Sequence, residues 1–291
     1  MIITKPTYLP IIILIAAILC GLISCNTFDY KAEIPSYIEI NAITHTTNSL
    51  QGSPHHNIKD VWVYVDDNAI GTYELPAKFP VLYGGSHEIK IRAGIKTDGF
   101  NTVRNEYQFY DFYTTTEKLI RGLSTEIIPD IKYFTGITFE MTEDFEIGSI
   151  FQPASASDTG IILKAMDTLS VLGDQSAVIY LDGDHSYFEI ATNNEQYTLP
   201  YGSRVFLELT YACNNSFSVG LLKNTFNGSK KINTYITLYP TEGWNKIYIN
   251  YTDYIKSHSD ALSYELYFSG NKDAGNTLGA ITLDNIKLIH D

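Results

Sequence analysis

The chain has little sulfur and little positive charge. It contains 3 cysteines and 3 methionines in 291 residues, and 20 basic side chains stand against 33 acidic ones. The formal net charge of −13 excludes the basic surface that proteins use to neutralise nucleic-acid phosphates, so we expect no nucleic-acid partner. Cys20 and Cys25 lie near the start, which leaves Cys213 alone in the rest of the chain. No disulfide can therefore form within the rest of the chain, and we expect Cys213 to be a buried, inert thiol.

Sequence signatures of the common enzyme classes are missing as well. The chain has no His-Glu-x-x-His zinc motif, no Gly-x-Ser-x-Gly nucleophile elbow and no glycine-rich phosphate loop. We therefore predict that the protein is not an enzyme and requires no cofactor. A hydrolase with two converging acidic side chains is the least favoured alternative, because 33 acidic residues allow many pairings and no pattern selects one.

Aromatic residues, in contrast, are abundant. The chain has 22 tyrosines and 14 phenylalanines, and hydrophobic residues make up 44% of it, which is enough for a packed core. Apolar and polar residues alternate with a period of two, as in the segment that places Val61, Val63 and Val65 on one face. Aromatic and β-branched residues suit the pleated surface of a sheet. These observations predict an all-β protein.

Residues 36–135 are predicted to form an immunoglobulin-like β-sandwich. Segments 79–83 and 87–93 lie on either side of Gly84-Gly85, a sequence typical of a hairpin turn. Short strands at this spacing indicate a sandwich of about 100 residues. The adjacent histidines His55 and His56 are expected in a solvated loop. Further strands are predicted at 103–112 and 126–133.

Residues 136–291 are predicted to form a larger jelly-roll β-sandwich. Glycine, asparagine and aspartate fill the connections between apolar segments, as turns require. A short helix is predicted at 253–257. The candidate strands are 160–166, 177–181, 187–192, 205–212, 216–222, 233–238, 246–251, 262–269 and 280–289.

The first 24 residues have the layout of a secretory signal peptide. Lys5 precedes an apolar run over 11–19, and Leu22-Ile23-Ser24-Cys25 follows it. This ending resembles the lipobox of bacterial lipoproteins, in which the cysteine thiol receives a diacylglycerol and cleavage occurs just before it. The resemblance implies lipidation of Cys25, a lipidated tether over 25–35, and attachment to the outer membrane on its periplasmic or cell-surface face. A transmembrane anchor is disfavoured, since the apolar run is shorter than a spanning helix needs.

Both sandwiches resemble known families. Segments 58–66, 73–76 and 79–82 resemble uncharacterised cell-envelope lipoproteins of Bacteroidota, and 84–93 is similar to immunoglobulin-like modules of exported bacterial proteins. The second unit resembles carbohydrate-binding-module and galactose-binding jelly rolls in its opening residues 143–146 and its closing residues 283–286. This resemblance implies that its first and last strands pair. It also implies a structural calcium ion held by Asp144, Glu146 and Asp284, and the alternative is that these are solvated carboxylates.

The aromatic clusters lead to two functional hypotheses. Alternation along a strand cannot place all the aromatic residues of 107–113 in one core, so some are expected to face outward. We favour a non-catalytic, lipid-anchored accessory subunit of an outer-membrane protein complex for assembly, secretion or nutrient uptake. Its binding surface would comprise Trp62, Tyr64, Tyr107, Phe109, Tyr110, Phe112 and Tyr113. The alternative is a surface lipoprotein that binds a glycan with its jelly roll, through Tyr201, Trp244 and Tyr248.

Overall fold

The computed structural model describes residues 33–165, 173–192, 196–226, 228 and 230–291. The predicted all-β class is confirmed, because strands dominate this part of the chain and its only helix is the short α1 (Thr252–Lys256). Among these residues we find no helix with the length and apolar character needed to cross a membrane. Cys25 and the apolar run at 11–19 lie outside the described residues.

Ten strands form the N-terminal sandwich around one core. One sheet has the order β4-β3-β6-β7 with β8 also paired to β6, and two smaller sheets have the orders β5-β1-β9 and β10-β2. Along β3 the valines are buried, whereas Trp62 and Tyr64 are half-buried on the opposite face, as a period of two requires. The strands are β1 (Ser36–Ile40), β2 (Thr44–Thr46), β3 (Asp60–Val65), β4 (Asn68–Glu74), β5 (Ala77–Val81), β6 (Gly85–Lys96), β7 (Arg104–Glu106), β8 (Tyr113–Leu119), β9 (Ser124–Glu126) and β10 (Asp130–Lys132).

The hairpin predicted at Gly84-Gly85 is wrong. Strand β5 pairs with β1, whereas β6 pairs with β3 and β8, so the two strands lie in different sheets. Gly85 has a φ of +113°, which glycine adopts without a Cβ clash, and the chain crosses from one sheet to the other at this point. The alternation of side chains fixes the buried face of each strand, but it does not fix the partner of that strand.

Two antiparallel sheets form the C-terminal jelly roll. Their orders are β13-β14-β21-β16-β19, with β11 also paired to β21, and β12-β15-β20-β17-β18. The pairing of β11 with β21 confirms that the first and last strands are neighbours. The predicted strands and the predicted helix coincide with described elements. The strands are β11 (Thr138–Glu143), β12 (Gln152–Pro153), β13 (Ile162–Ala165), β14 (Gln175–Leu181), β15 (Tyr187–Ala191), β16 (Val205–Cys213), β17 (Phe217–Thr225), β18 (Lys230–Leu238), β19 (Asn245–Asn250), β20 (Ala261–Asn271) and β21 (Gly279–His290).

The two sandwiches meet in a buried interface. The hydrophobic core of the N-terminal sandwich includes three jelly-roll residues, Phe206, Tyr248 and Ile289. The ring of Tyr107 lies 5.3 Å from that of Phe206 and 4.9 Å from that of Tyr248, measured between centroids. The chain therefore forms one continuous body in which loops of both sandwiches lie side by side.

Candidate functional site

A large, open groove lies between the two sandwiches. Its volume is about 810 Å³, which is within the range of roughly 300–1,000 Å³ that is usual for ligand sites. One wall comes from the N-terminal sandwich, at Asn57, Lys59, Lys96 and residues 98–101. The other wall comes from Tyr211 and from residues 236–241 and 244–248 of the jelly roll. We call this site the inter-sandwich groove.

Three aromatic side chains present accessible surface in the inter-sandwich groove. Phe100 and Tyr239 are exposed, and Trp244 is half-buried. Phe100 belongs to the N-terminal wall, whereas the other two belong to the connection between β18 and β19. Accessible rings on both walls can pack against the apolar faces of a ligand that enters between them.

The loop that carries Phe100 is held firmly against the jelly roll. The Asp98 amide donates to the carbonyl oxygen of Tyr248 at 2.9 Å, and the Asn250 amide donates to Asp98 Oδ1 at 2.8 Å. Asp98 and Gly99 have φ values of +54° and +74°, and this left-handed pair makes the turn that projects Phe100. Burial raises the pKa of Asp98. The loop is therefore fixed before any ligand arrives.

Polar groups line the inter-sandwich groove as well. Asn57 Nδ2 donates to Asn245 Oδ1 at 3.1 Å and to the carbonyl oxygen of Lys246 at 2.8 Å, so it joins the two walls. Lys96 Nζ donates to Asn101 Oδ1 at 2.5 Å. Lys59, Lys96 and Asn101 also line the inter-sandwich groove, and they offer ammonium and amide groups to hydroxyl or carboxylate groups of a ligand.

A buried carboxylate holds the interface together beside this groove. Glu208 and Lys246 are both 0% exposed, and their Oε2 and Nζ atoms are 2.6 Å apart. The hydroxyl groups of Tyr107 and Tyr133, from the N-terminal sandwich, each donate to Glu208 at 2.9 Å. Burial alone would raise the pKa of Glu208, but the attraction of Lys246 and Lys287 outweighs it and lowers this pKa to about 2.

Lys287 completes the same cluster. Its Nζ donates to the Ser53 carbonyl oxygen at 2.7 Å and to the Tyr133 hydroxyl at 3.2 Å. Burial, together with the nearby charge of Lys246, lowers the pKa of Lys287 to about 7, although Glu208 opposes the shift. We call Glu208, Lys246, Lys287, Tyr107 and Tyr133 the interface ion cluster. Because its members come from both sandwiches, it fixes how one sandwich sits on the other.

Histidines pack around the interface ion cluster, and the prediction that His55 and His56 lie in a solvated loop is wrong. His45 is buried, with its ring centroid 4.9 Å from those of Tyr110 and Tyr133. His55 Nδ1 lies 3.2 Å from the hydroxyl oxygen of Thr210 in the jelly roll. Burial lowers the pKa of His45 to about 4, and burial with the nearby positive charges of Lys246, His56 and Lys287 does the same for His55.

These two pKa values predict that acid destabilises the protein. Both pKa values lie below the ordinary 6.5. As pH falls from about 6.5 to about 4, the two histidines therefore bind protons in the unfolded chain but not in the folded chain. Stability should therefore fall in that window, by roughly 1–2 kcal/mol for His45 at pH 5. Urea titrations at pH 7 and pH 5 measure the loss, and His45→Gln should make it smaller. A loss that is unchanged in His45→Gln would contradict this assignment.

Three residues of the predicted binding surface are not on the surface. Tyr107, Phe109 and Tyr110 are fully buried, because strand β7 ends at Glu106 and the turn that follows packs against the jelly roll. The amide of Tyr110 donates to the carbonyl oxygen of Tyr107 at 3.0 Å within this turn. Period-two alternation therefore does not apply to these rings, which contact the second sandwich instead.

The other four residues of that predicted surface keep some exposure. Phe112 is exposed and lies 4.7 Å below the guanidinium of Arg92, and Tyr113 is half-buried. Trp62 lies over Gly94, where an added Cβ would come within 2.0 Å of its ring. Tyr64 donates its hydroxyl proton to Glu106 at 3.0 Å. Their part in partner binding stays a prediction.

The three predicted glycan contacts have different environments. Trp244 lines the inter-sandwich groove. Tyr248 is buried beneath it, with its hydroxyl accepting from the Asn57 amide at 3.0 Å, so the predicted stacking of Tyr248 on a sugar is wrong. Tyr201 is exposed but does not line the groove. Phe100 and Tyr239 were not among the predicted glycan contacts. Both are exposed and line the groove, so they are better candidates for contact with a glycan.

The predicted calcium ligands lie near the junction of β11 and β21. Asp284 is fully buried, its Oδ2 has no hydrogen-bond partner, and burial together with the charges of Glu146, Asp144 and Glu143 raises its pKa to about 8. Glu146 Oε1 accepts from the amides of Asp174 and Gln175 at 2.8 and 3.0 Å. Among the described residues, no three acidic, histidine or cysteine side chains are arranged as a metal site.

Comparison with known proteins gives similarity of structure only. No protein-family model and no curated protein matches the chain. The CBM22-1 xylan-binding domain from Paenibacillus barcinonensis Xyn10C is 12% identical, with a TM-score of 0.38 over 53% of this chain and 94% of that domain. The family 11 carbohydrate-binding module of the Clostridium thermocellum cellulase Lic26A-Cel5E is 17% identical, with a TM-score of 0.37 over 53% and 95% of the two chains. At these values the similarities do not extend to a ligand.

Proposed function

We propose that the protein binds a glycan in the inter-sandwich groove and catalyses no reaction. The observation that carries this proposal is the set of accessible rings of Phe100, Tyr239 and Trp244 on the two walls of a groove that amide and ammonium groups also line. A sugar ring presents C–H groups on its faces and hydroxyl groups on its edge. Aromatic faces match the former, and the amides and lysines match the latter.

Rigidity supports the same proposal. The loop of Phe100 is hydrogen-bonded to β19, and Asn57 joins the two walls through Asn245 and Lys246. A site that is already ordered loses little conformational entropy when a ligand binds. The groove is also open to solvent, which gives a ligand access to the rings.

Substitution of groove aromatics tests the proposal. A glycan array identifies a ligand, and calorimetry then measures its affinity for Tyr239→Ala and Trp244→Ala. Each substitution should weaken binding about tenfold or more, because truncation of a central aromatic anchor usually costs about 2 kcal/mol. Tyr201→Ala is the matched control, since Tyr201 is 66% exposed outside the groove and Tyr239 is 68% exposed within it. An array without a ligand, or an equal loss in Tyr201→Ala, would rule out this site.

Lipid attachment at Cys25 belongs to the same proposal. A lipid at this position would hold the groove at the cell envelope, where glycans are found. The accessory-subunit hypothesis depended on an aromatic surface, and three of its residues, Tyr107, Phe109 and Tyr110, are buried. Glycan binding therefore has the stronger support from the geometry.

We also propose that calcium binds beside Asp284. A fully buried carboxyl oxygen without a hydrogen-bond partner is costly, and a cation that replaced the proton of Asp284 would be balanced by the charges of Asp144 and Glu146. Carboxylate oxygens are the ligands that calcium prefers. These side chains would have to approach one another when the ion binds.

Thermal unfolding tests the calcium proposal. After treatment with a chelator, added CaCl2 should raise the Tm by several degrees, because an ion at 100 times its Kd contributes about 2.7 kcal/mol of stability. The calcium-dependent increase should vanish in Asp284→Asn and persist in Asp184→Asn, which alters an exposed aspartate of the same sandwich. The same Tm with and without calcium in the unaltered protein would refute the proposal.

A further inference from the structure

One end of the N-terminal sandwich carries a group of exposed aliphatic side chains. Ile34, Leu82, Ile120 and Leu123 are between 47% and 64% exposed. We call these four residues the apolar tip. Exposed apolar groups that cluster on a protein surface are typical of sites that contact another protein or a membrane.

Hydrogen bonds show that the apolar tip is one surface. The Gly122 amide donates to the Pro35 carbonyl oxygen at 2.7 Å, and the Tyr37 amide donates to that of Leu123 at 2.9 Å. Leu82 lies beside these residues, because the carbonyl oxygen of its neighbour Tyr83 accepts from the Ser36 hydroxyl at 2.7 Å. The Leu123 amide donates to the carbonyl oxygen of Ile120 at 3.0 Å, which closes the turn between β8 and β9.

The apolar tip lies far from the inter-sandwich groove. Strand β6 starts beside the tip at Gly85 and runs for 12 residues to Lys96, which lines the groove. At about 3.3 Å per residue, this strand is roughly 36 Å long. The tip and the groove are therefore at opposite ends of the N-terminal sandwich.

The chain also enters the described structure at the apolar tip. Eight peptide units separate Cys25 from Glu33, which is paired with Arg121 at 3.1 Å. Even fully extended, eight residues span at most about 29 Å. If Cys25 carries lipid, the tip lies within that distance of the bilayer surface, and no other part of the sandwich is tied so closely to it.

We propose that the apolar tip docks on the lipid bilayer, with its four aliphatic side chains among the lipid headgroups. This inference rests on the lipid anchor proposed above. Lipid is the occupant that fits, since the tether brings the tip to the membrane and the tip offers aliphatic side chains. A second contact beside an acyl anchor strengthens membrane attachment. Docking through the tip would also direct the inter-sandwich groove away from the membrane.

Site-directed spin labelling of the full, lipidated chain tests this placement. Leu82→Cys and Leu123→Cys are labelled separately in vesicles of phosphatidylethanolamine and phosphatidylglycerol. Cys213 is buried and stays unlabelled, because burial raises the pKa of its thiol to about 11. Leu278→Cys is the matched control, since Leu278 is an exposed leucine beside β21 in the jelly roll.

For each label we compare accessibility to a water-soluble nickel complex with accessibility to oxygen. This ratio should be several-fold lower for both tip labels than for the label at Leu278→Cys. Equal accessibility at all three positions in lipidated protein would overturn the docking and leave the anchor standing. Shielding that requires added outer-membrane protein would also overturn it, in favour of a protein partner. Failure of the chain to incorporate palmitate, or unchanged membrane fractionation of Cys25→Ser, would overturn the anchor itself. Glycan binding is measured separately and is unaffected by these outcomes.

Discussion

Replacement of Glu208 by alanine is expected to lower the free energy of unfolding by about 3–5 kcal/mol, because it leaves buried lysines without their counter-charge. Glu208 and Lys246 are fully buried and 2.6 Å apart. Lys287 lies close enough for its charge to lower the pKa of the same carboxyl group. The two tyrosine hydroxyls that donate to Glu208 would lose their acceptor as well. Urea denaturation measures the loss directly.

A surface ion pair provides the control for Glu208→Ala. Glu39 Oε2 lies 3.0 Å from Lys78 Nζ, and both side chains are in contact with solvent. Glu39→Ala should cost less than about 1 kcal/mol, because solvent screens the pair. Losses of similar size in the two variants would mean that the interface ion cluster does not hold the sandwiches together. The double variant with Lys246→Met should lose less than the sum of the single losses, since it removes both buried charges.

The strands could be predicted from the sequence because each depends on a local pattern. Alternation along β3 fixed the buried valines, and the apolar runs of the jelly roll marked its strands. The pairing of strands depends on residues far apart in the chain, and the crossing at Gly85 was therefore mistaken for a hairpin. Local patterns determine what each strand buries, whereas packing between sheets determines its neighbours.

The interface ion cluster was missed, although the sequence contains a signal for it. Glu208 and Lys287 each interrupt an apolar strand, in β16 and β21 respectively. A charge within such a strand indicates a buried ion pair, because an unpaired charge there would be prohibitively costly. The register that places Glu208 opposite Lys287 is visible only once the two strands are paired.

The inter-sandwich groove depends on contacts between residues that are even farther apart in the sequence. Phe100 and Tyr239 come from different sandwiches and face one site only because the interface fixes their relative position. Trp244 was among the predicted glycan contacts, whereas the residues that line the groove with it could be identified only from the assembled structure. Tyr107, Phe109 and Tyr110 were assigned to the surface because the prediction considered one core and not the interface.

Tyr107→Ala tests whether the aromatic rings of 107–110 form a packed interface or an exposed binding surface. The Tyr107 ring is buried among Phe109, Tyr110 and Phe206, so its truncation should cost about 3–5 kcal/mol in the free energy of unfolding. Tyr107→Phe, which keeps the ring and removes only the hydrogen bond to Glu208, should cost about 1 kcal/mol.

Phe112→Ala is the matched control, because Phe112 belongs to the same predicted surface but is exposed. It should lose less than about 1 kcal/mol, which includes its contact with the Arg92 guanidinium. Chemical denaturation of the three variants distinguishes the outcomes. If Tyr107→Ala were as mild as Phe112→Ala, the ring of Tyr107 would not be part of a packed interface. The fixed position of the two groove walls, on which glycan binding depends, would then lose its structural basis.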